Sequence, residues 1–218
     1  NLRTGKLVEA RPAMMMTKQC GATFNPQAQC PRFLQFMNEI FEYDQEMIDF
    51  VQRMCGYAIT GMASEQRFFF LLGSGANGKS VFSNIMDFVF GDYKMTADSV
   101  LLARNSYGKQ GEADRYKAAL PGARLVLINE VGHDDVFDDQ RVKELTSNDR
   151  ITARYLHQEP FQFMPTHTIF LRGNHRPGVK DAGDAFWRRV VMIDFRRKFK
   201  EDERIPNLEH IIVDKEAD

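Results

Sequence analysis

The stretch from Phe68 to Phe90, FFFLLGSGANGKSVFSNIMDFVF, limits what this chain can fold into more than any other. It contains Gly73-x-x-x-x-Gly78-Lys79-Ser80, a complete Walker A pattern, which carries meaning only with a strand before it and a helix after it. Both are legible. Phe68 to Leu72 is a run of five apolar residues, short enough for a buried strand and too short for a helix. After Ser80, apolar residues recur at Phe82, Ile85, Met86 and Val89, the i, i+3, i+4, i+7 stripe of an amphipathic helix. The stretch reads as strand, glycine loop, helix.

Glycines at 73, 75 and 78 let the backbone turn its N–H groups inward on a phosphate, at the positive end of the following helix. The expected cradle is Gly73, Ser74, Gly75, Ala76, Asn77, Gly78, Lys79, Ser80 and Val81. Lys79 would reach the β- and γ-phosphates of a nucleotide, and Ser80 would hold Mg²⁺ through its hydroxyl. A second element of the same logic follows downstream. Arg124 to Ile128, RLVLI, is a continuous apolar run of the kind found in parallel strands buried on both faces. It ends in Asn129-Glu130, a Walker B signature in which Glu130 would face the Mg²⁺ and the attacking water. Asn129 stands where a first acid is often found.

Upstream, residues 1 to 30 mix Pro, Gly, Gln and polar residues around Met14-Met15-Met16, with a strand expected over Ala13 to Thr17 and the methionines read as packing material. Helical spacing predicts one helix from Pro31 to about Phe41, and a second carrying Met47, Ile48, Val51, Met54, Cys55 and Ala58, ended by Gly56 or Gly61. Downstream of the glycine loop, Gly91 ends its helix, Asp92 to Met95 reads as a short strand, and Ser99 to Ala119 is polar and helical in parts. The acidic stretch His133 to Asp139 reads as a solvated loop that ends in a helix cap, at Asp138 or Asp139, with the helix running to about Thr146.

Ile151 to Leu156 and Phe161 to Met164 alternate and flank His157-Gln158-Glu159, which predicts a β-hairpin. Arg154, Tyr155 and His157 near its tip combine a cation, an aromatic ring and a hydrogen-bonding ring, suited to gripping a nucleic-acid strand. Thr168 to Leu171 is another short strand. Asn174 beyond it is positioned to touch a γ-phosphate or the lytic water. Trp187-Arg188-Arg189 precedes a fourth apolar strand, and either arginine could be a finger supplied in trans. The tail after Phe199 is charged, with a weak helix around Leu208 to Val213.

Composition excludes a global basic coat for nucleic acid, because Lys+Arg 29 against Asp+Glu 30 leaves a formal net charge of -1. A localised basic site remains open. Cys20, Cys30 and Cys55 form no C-x-x-C pair, so reduced, buried thiols are expected rather than a disulfide framework or a zinc site. No apolar run approaches the ~18 residues of a membrane span and no signal peptide opens the chain, so a cytoplasmic location is expected.

Taken in order, GSGANGKS, RLVLINE, KELTSNDRITARYLHQEPFQF, LRGNHRP and FWRRVVMIDF resemble the superfamily 3 helicases. More narrowly, they are similar to the C-terminal helicase part of the primase-helicases of phages, plasmids and large DNA viruses. The segment through CGYAITGMASEQRFFFLLG resembles the one preceding the ATPase in that group, so the likeness covers roughly residues 1 to 200. It implies an α/β P-loop NTPase fold of the AAA+ type, with a central parallel sheet flanked by helices. It also implies a homo-hexameric ring with ATP sites between subunits and single-stranded or forked DNA in the channel.

By motif, the resemblance makes Lys79 and Ser80 the Walker A pair, Glu130 the Walker B acid, Asn174 the sensor and Arg188 or Arg189 the finger. ATP and Mg²⁺ are the implied ligands, with Ser80 and Glu130 on the metal. The hairpin, with Lys143 in the helix ahead of it, matches the DNA-gripping element. Two departures stand out: Ser147-Asn148-Asp149 where glycines are common, and His157 where a lysine is common.

The expected division is a mainly helical subdomain over 1–62, the ATPase core over 63–200 and the start of a C-terminal region over 201–218. The chain begins at Asn1 and stops in a charged tail, which reads as a fragment of a phage or plasmid protein whose primase region lies outside it. The implied function is an ATP-dependent helicase motor moving 3′ to 5′. The rivals are a nucleotide-dependent loading ATPase that does not unwind DNA, and a P-loop kinase.

Overall fold

The computed structural model describes residues 1–104, 110–129, 136–176, 178–179 and 183–217. The first thirty residues hold one 3₁₀ turn, Pro12–Met14, in place of the strand expected over Ala13 to Thr17. Met15 there takes φ 47, a left-handed conformation that breaks extended pairing. Met14, Met15 and Met16 are exposed, so they do not serve as packing material.

The helix α1 (Pro31–Ile40) opens on a proline, which suits the first position because the helix leaves that N–H unpaired anyway. In α2 (Gln45–Thr60) the Asp44 carboxylate caps the start, accepting from the Met47 N–H at 3.1 Å. Gly61 ends it with φ 70, and a Cβ there would overlap the Arg124 guanidinium, so Gly61 rather than Gly56 is the stop. Next come β1 (Phe68–Leu72) and α3 (Lys79–Phe90), the strand and helix expected around the glycine loop.

The strand β2 (Lys94–Ala97) starts two residues later than the pattern suggested. Gly91–Tyr93 form a 3₁₀ turn instead, because Asp92 exchanges two hydrogen bonds with the Gln19 backbone. After α4 (Gln110–Ala119) and β3 (Leu125–Ile128), the short β4 (Val136–Phe137) leads into α5 (Asp139–Leu145). Asp138 is the α5 cap, accepting from the N–H groups of Gln140 and Arg141 at 3.0 and 3.1 Å. The expected hairpin is β5 (Ile151–Ala153) paired antiparallel with β6 (Phe161–Phe163). The chain closes with β7 (Thr168–Gly173), β8 (Gly178–Val179), α6 (Asp184–Trp187), β9 (Val190–Asp194) and α7 (Leu208–Glu216).

Five strands form one parallel sheet in the order β2-β3-β7-β1-β9. Alternate side chains of each strand point to opposite faces. Phe69, Leu71, Leu127, Phe170 and Ile193 pack on one face with α1, α2, α3 and α7. Phe68, Phe70, Val126, Ile169 and Leu171 pack on the other with Leu102, Phe137, Val142 and Phe186. Both faces are covered by helices, which is why the strands read as unbroken apolar runs. Phe68, Phe70 and Phe170, each at most 1% exposed, contribute roughly 1.5–3 kcal/mol apiece. The α/β sandwich therefore rests on its central strands. Among the described residues no helix is long and apolar enough to cross a membrane.

All three cysteines are free. All three are half-buried rather than the buried thiols expected, and burial raises the pKa of each, that of Cys55 to about 12. A buried imidazole matters more for stability. His167, just before β7, donates from Nε2 to the Leu145 carbonyl at 3.0 Å, and its Nδ1 has no hydrogen-bond partner among the described residues. Burial lowers its pKa to about 4, partly opposed by the Leu145 hydrogen bond. The folded chain thus keeps His167 neutral where the unfolded chain, near the ordinary 6.5, takes up a proton. Stability is present in full above pH ~6.5 and lost as pH falls towards ~4, by up to about 3 kcal/mol from this residue. Urea unfolding at pH 7 and pH 5 should show the loss, and His167→Gln should flatten it.

Candidate functional site

The loop between β1 and α3 is built by its glycines and tied from below. Gly75, Ala76 and Gly78 have φ of 96, 51 and 85, so the loop turns through left-handed backbone that glycine adopts without strain. Gly78 is also the point where α1 presses in, since a Cβ there would lie 2.5 Å from the Ile40 side chain. Asn77 is buried beneath the loop, donating to the Phe195 carbonyl at 3.3 Å and accepting from the Lys79 N–H at 3.4 Å. Ser74, Ala76 and Ser80 are exposed, and Val81 is half-buried.

Lys79 is buried, and its ammonium group donates to Gly73 O, to Asn77 Oδ1 at 3.3 Å and to Asn174 Oδ1 at 3.3 Å. Burial, and then the positive charge of Arg172, lower its pKa from the ordinary lysine value. The predicted cradle lysine and the predicted sensor asparagine are therefore in direct contact, although 95 residues separate them. β1 and β7 pair in parallel, which brings both strand ends to one edge, and the Gly73 N–H closes the gap by donating to Gly173 O at 3.2 Å. Glu130 lies outside the described residues. Its neighbour Asn129, at the end of β3, accepts a hydrogen bond from Arg172.

A cleft of about 480 Å³ opens above the loop. One wall is the loop with Arg172 and Asn174. The opposite wall was not legible in the sequence: Arg32, Phe36 and Glu39 of α1, and Phe199, Arg204 and Ile205 from the segment after β9. That segment is fastened to the loop by the Phe199 N–H, which donates to Ala76 O at 2.8 Å. Arg204 then donates to Phe199 O at 3.2 Å, and Arg197 lies 4.6 Å above the Phe199 ring. Only the aromatic at 199 and Pro206 hinted at an ordered turn in what reads as a charged tail. Among the described residues no group of three or more His, Cys, Asp or Glu side chains gathers as a metal site.

The remaining predicted residues lie elsewhere. Val190 pairs with Phe68, so Arg188 and Arg189 sit at the N-terminal edge of the sheet, away from the loop at its C-terminal edge. Arg189 is buried and donates to Ala185 O, whereas Arg188 is exposed. The hairpin leads into the start of β7, at the same edge as the arginines. Arg154, Tyr155 and His157 are exposed on it, with Tyr155 stacked on Phe161 at 5.6 Å and His157 at φ 61. Lys143 pairs with Asp139 one turn earlier on α5.

A family of unknown function, DUF5906, matches residues 71–189, more than half of the chain. The chain belongs to this family. Residues 1–42 of this DUF5906 member match a second model described as D5 N terminal like. It is 33% identical over 156 residues to "Putative helicase L207/L206" of Acanthamoeba polyphaga mimivirus, covering 72% of the chain and 16% of that protein. It is 27% identical over 174 residues to "Putative helicase 022R" of Frog virus 3, covering 77% of the chain and 18% of that protein. To "Putative primase C962R" of African swine fever virus, strain Badajoz 1971 Vero-adapted, it is 23% identical over 190 residues, covering 86% of the chain and 20% of that protein. The chain thus spans a fifth or less of the curated relatives it matches.

Among solved structures, the NrS-1 C-terminal region in its apo form superposes with a TM-score of 0.66 at 14% identity, covering 93% of this chain and 47% of that one. A JCV helicase carrying a bound small molecule superposes with a TM-score of 0.52 at 12% identity, covering 88% of this chain and 52% of that one. These likenesses show the fold.

The tie beneath the loop gives a stability test on the DUF5906 chain. Asn77→Ala leaves the Phe195 carbonyl without its donor and should cost about 1–3 kcal/mol. The exposed Ser74→Ala should stay within about 0.5 kcal/mol, both read by urea unfolding.

Proposed function

We propose that this chain is the ATP-hydrolysing motor segment of a DNA-replication primase-helicase, an AAA+-type P-loop NTPase of superfamily 3 that works as a ring on single-stranded DNA. The observation that carries the reading is the contact of Lys79 with Asn174 inside the cleft above the glycine loop. The helicase and primase names of the viral relatives support the replication context.

The residues fit a nucleoside triphosphate. The cleft, about 480 Å³, is of the size that encloses small-molecule ligands. Its floor is the start of a helix, whose first N–H groups have no partner within the helix and favour anions. Lys79 holds only neutral oxygens, which a phosphate group would outcompete for an ammonium. Ser80, exposed at the head of α3, and Glu130 would hold Mg²⁺, which when bound offsets negative charge on the phosphates. Asn174 holds the lysine from the far side and would report whether a terminal phosphate fills the gap. Glu130, as a carboxylate, would orient the attacking water.

The two arginines divide by burial. Arg189 is held within its own chain, so Arg188 is the finger in this reading. It precedes β9, whose first residue, Val190, already lies four strand steps, roughly 13 Å along the sheet, from the loop edge. A finger on the edge away from its own cleft suits the cleft of a neighbouring subunit, which supports a ring. Arg154, Tyr155 and His157, exposed on the hairpin at that same edge, would then face DNA in the channel. A ring repeats such contacts, so a chain of net charge -1 can still hold a strand firmly.

ATP hydrolysis by the protein should rise with single-stranded DNA, and Lys79→Ala should lower it at least a hundredfold. Hydrolysis indifferent to single-stranded DNA would sink the motor reading, and hydrolysis without strand displacement would favour a loading ATPase. For the finger, mixing Arg188→Ala with Lys79→Ala subunits should restore measurable ATPase activity, because mixed interfaces recover one intact site. Arg189→Ala should instead lower the melting temperature. No recovery with Arg188→Ala would remove it from the role.

A further inference from the structure

The two walls of the cleft differ in chemistry. The glycine loop offers the start of a helix and Lys79, whereas the wall facing it comes from α1 and from the segment between β9 and α7. On that far wall Arg32 pairs with Glu39 at 3.5 Å, and Arg204 donates to the Phe199 carbonyl. Beside these polar groups stand the side chains of Phe199 and Ile205.

Phe199 is held firmly in place. Its N–H donates to Ala76 O of the loop at 2.8 Å, and its carbonyl accepts from Arg204 at 3.2 Å. The Arg197 guanidinium lies 4.6 Å above the ring and is itself paired with Glu203 at 3.1 Å. The ring is only half-buried and lines the cleft, so part of its surface is open to a ligand. Ile205, 47% exposed, lies on the same wall. Phe36 backs it from α1, buried and reaching within 3.2 Å of where a Cβ at Gly78 would stand. A fixed aromatic ring with an aliphatic neighbour suits a flat, weakly polar ring system, which stacks on one and packs against the other. It offers nothing to a phosphate.

We infer that this far wall is the base subsite of the cleft, where Phe199 stacks on the adenine of a bound nucleotide and Ile205 packs against it. This rests on the nucleotide reading of the cleft. The triphosphate lies on the loop and the base on the opposite wall, so one ligand bridges the glycine loop and the segment after β9.

The test is calorimetric binding of two ligands, adenylyl imidodiphosphate and inorganic tripolyphosphate, each with Mg²⁺. The second carries the phosphates without a base. Phe199→Leu and Ile205→Ala should each weaken the nucleotide analogue at least about fivefold, the lower end of what a lost base–aromatic stack costs, and change tripolyphosphate binding less than about twofold. Phe199→Tyr, which keeps the ring, should stay within about twofold of wild type for both ligands. A merely structural role for Phe199, through its tie to Ala76, would weaken both ligands equally. An unchanged ratio of the two affinities in either Phe199→Leu or Ile205→Ala would overturn the inference. If Lys79→Ala weakens both ligands while that ratio stays fixed in the wall variants, this inference alone falls. If the wild type binds neither ligand, the nucleotide reading falls with it.

Discussion

The parallel pairing of β1 with β7 on one side and β9 on the other is the constraint on which everything else in the molecule depends. It brings the glycine loop and the end of β7 to one edge of the sheet, within hydrogen-bonding distance of each other. By the same register it holds Arg188 at the opposite edge. A parallel sheet has its strand ends segregated by direction, so groups that follow strands and groups that precede them cannot share an edge. The division between a glycine-loop edge and an arginine and hairpin edge follows from that geometry alone.

The cleft depends on a second, weaker set of ties. α7 grips α1 through Glu216, whose carboxylate accepts from the N–H groups of Arg32 and Phe33 at 2.8 and 2.9 Å. The negative charge also suits the N-terminal end of α1. The segment between β9 and α7 is fastened to the glycine loop through Ala76 and Asn77. The loop is thus fixed by elements from both ends of the chain, and the wall facing it is assembled from the same two ends. Lys79 is thus surrounded by neutral acceptors at the floor of the cleft, and the charge of Arg172 acts on it from the end of β7.

How much of this is legible from the residues depends on the range of the interaction. The strand at Phe68–Leu72, the helix from Lys79, the cap at Asp138 and the hairpin pair around His157 are local, set by periodicity and turn chemistry within a few residues. Each appears where its spacing predicts. The strand expected over Ala13 to Thr17 does not form, because an apolar run of that length is a strand only when something pairs with it. β2 shifted by two residues for the converse reason, since Gln19 pairs with Asp92 and turns the chain there.

The sequence by itself determined the strand–glycine loop–helix unit, because its signals are carried by neighbouring residues whose backbone preferences add. It also determined which polar residues end the core strands, since those residues interrupt apolar runs. Tertiary structure decided what those residues meet. That Lys79 touches Asn174, that Arg172 stands beside it, and that Arg32 and Phe199 close the cleft are contacts between segments 30 to 170 residues apart. The choice between Arg188 and Arg189 is of the same kind: two adjacent arginines are equivalent in a sequence, and only packing shows that one is buried in its own chain and the other faces outward.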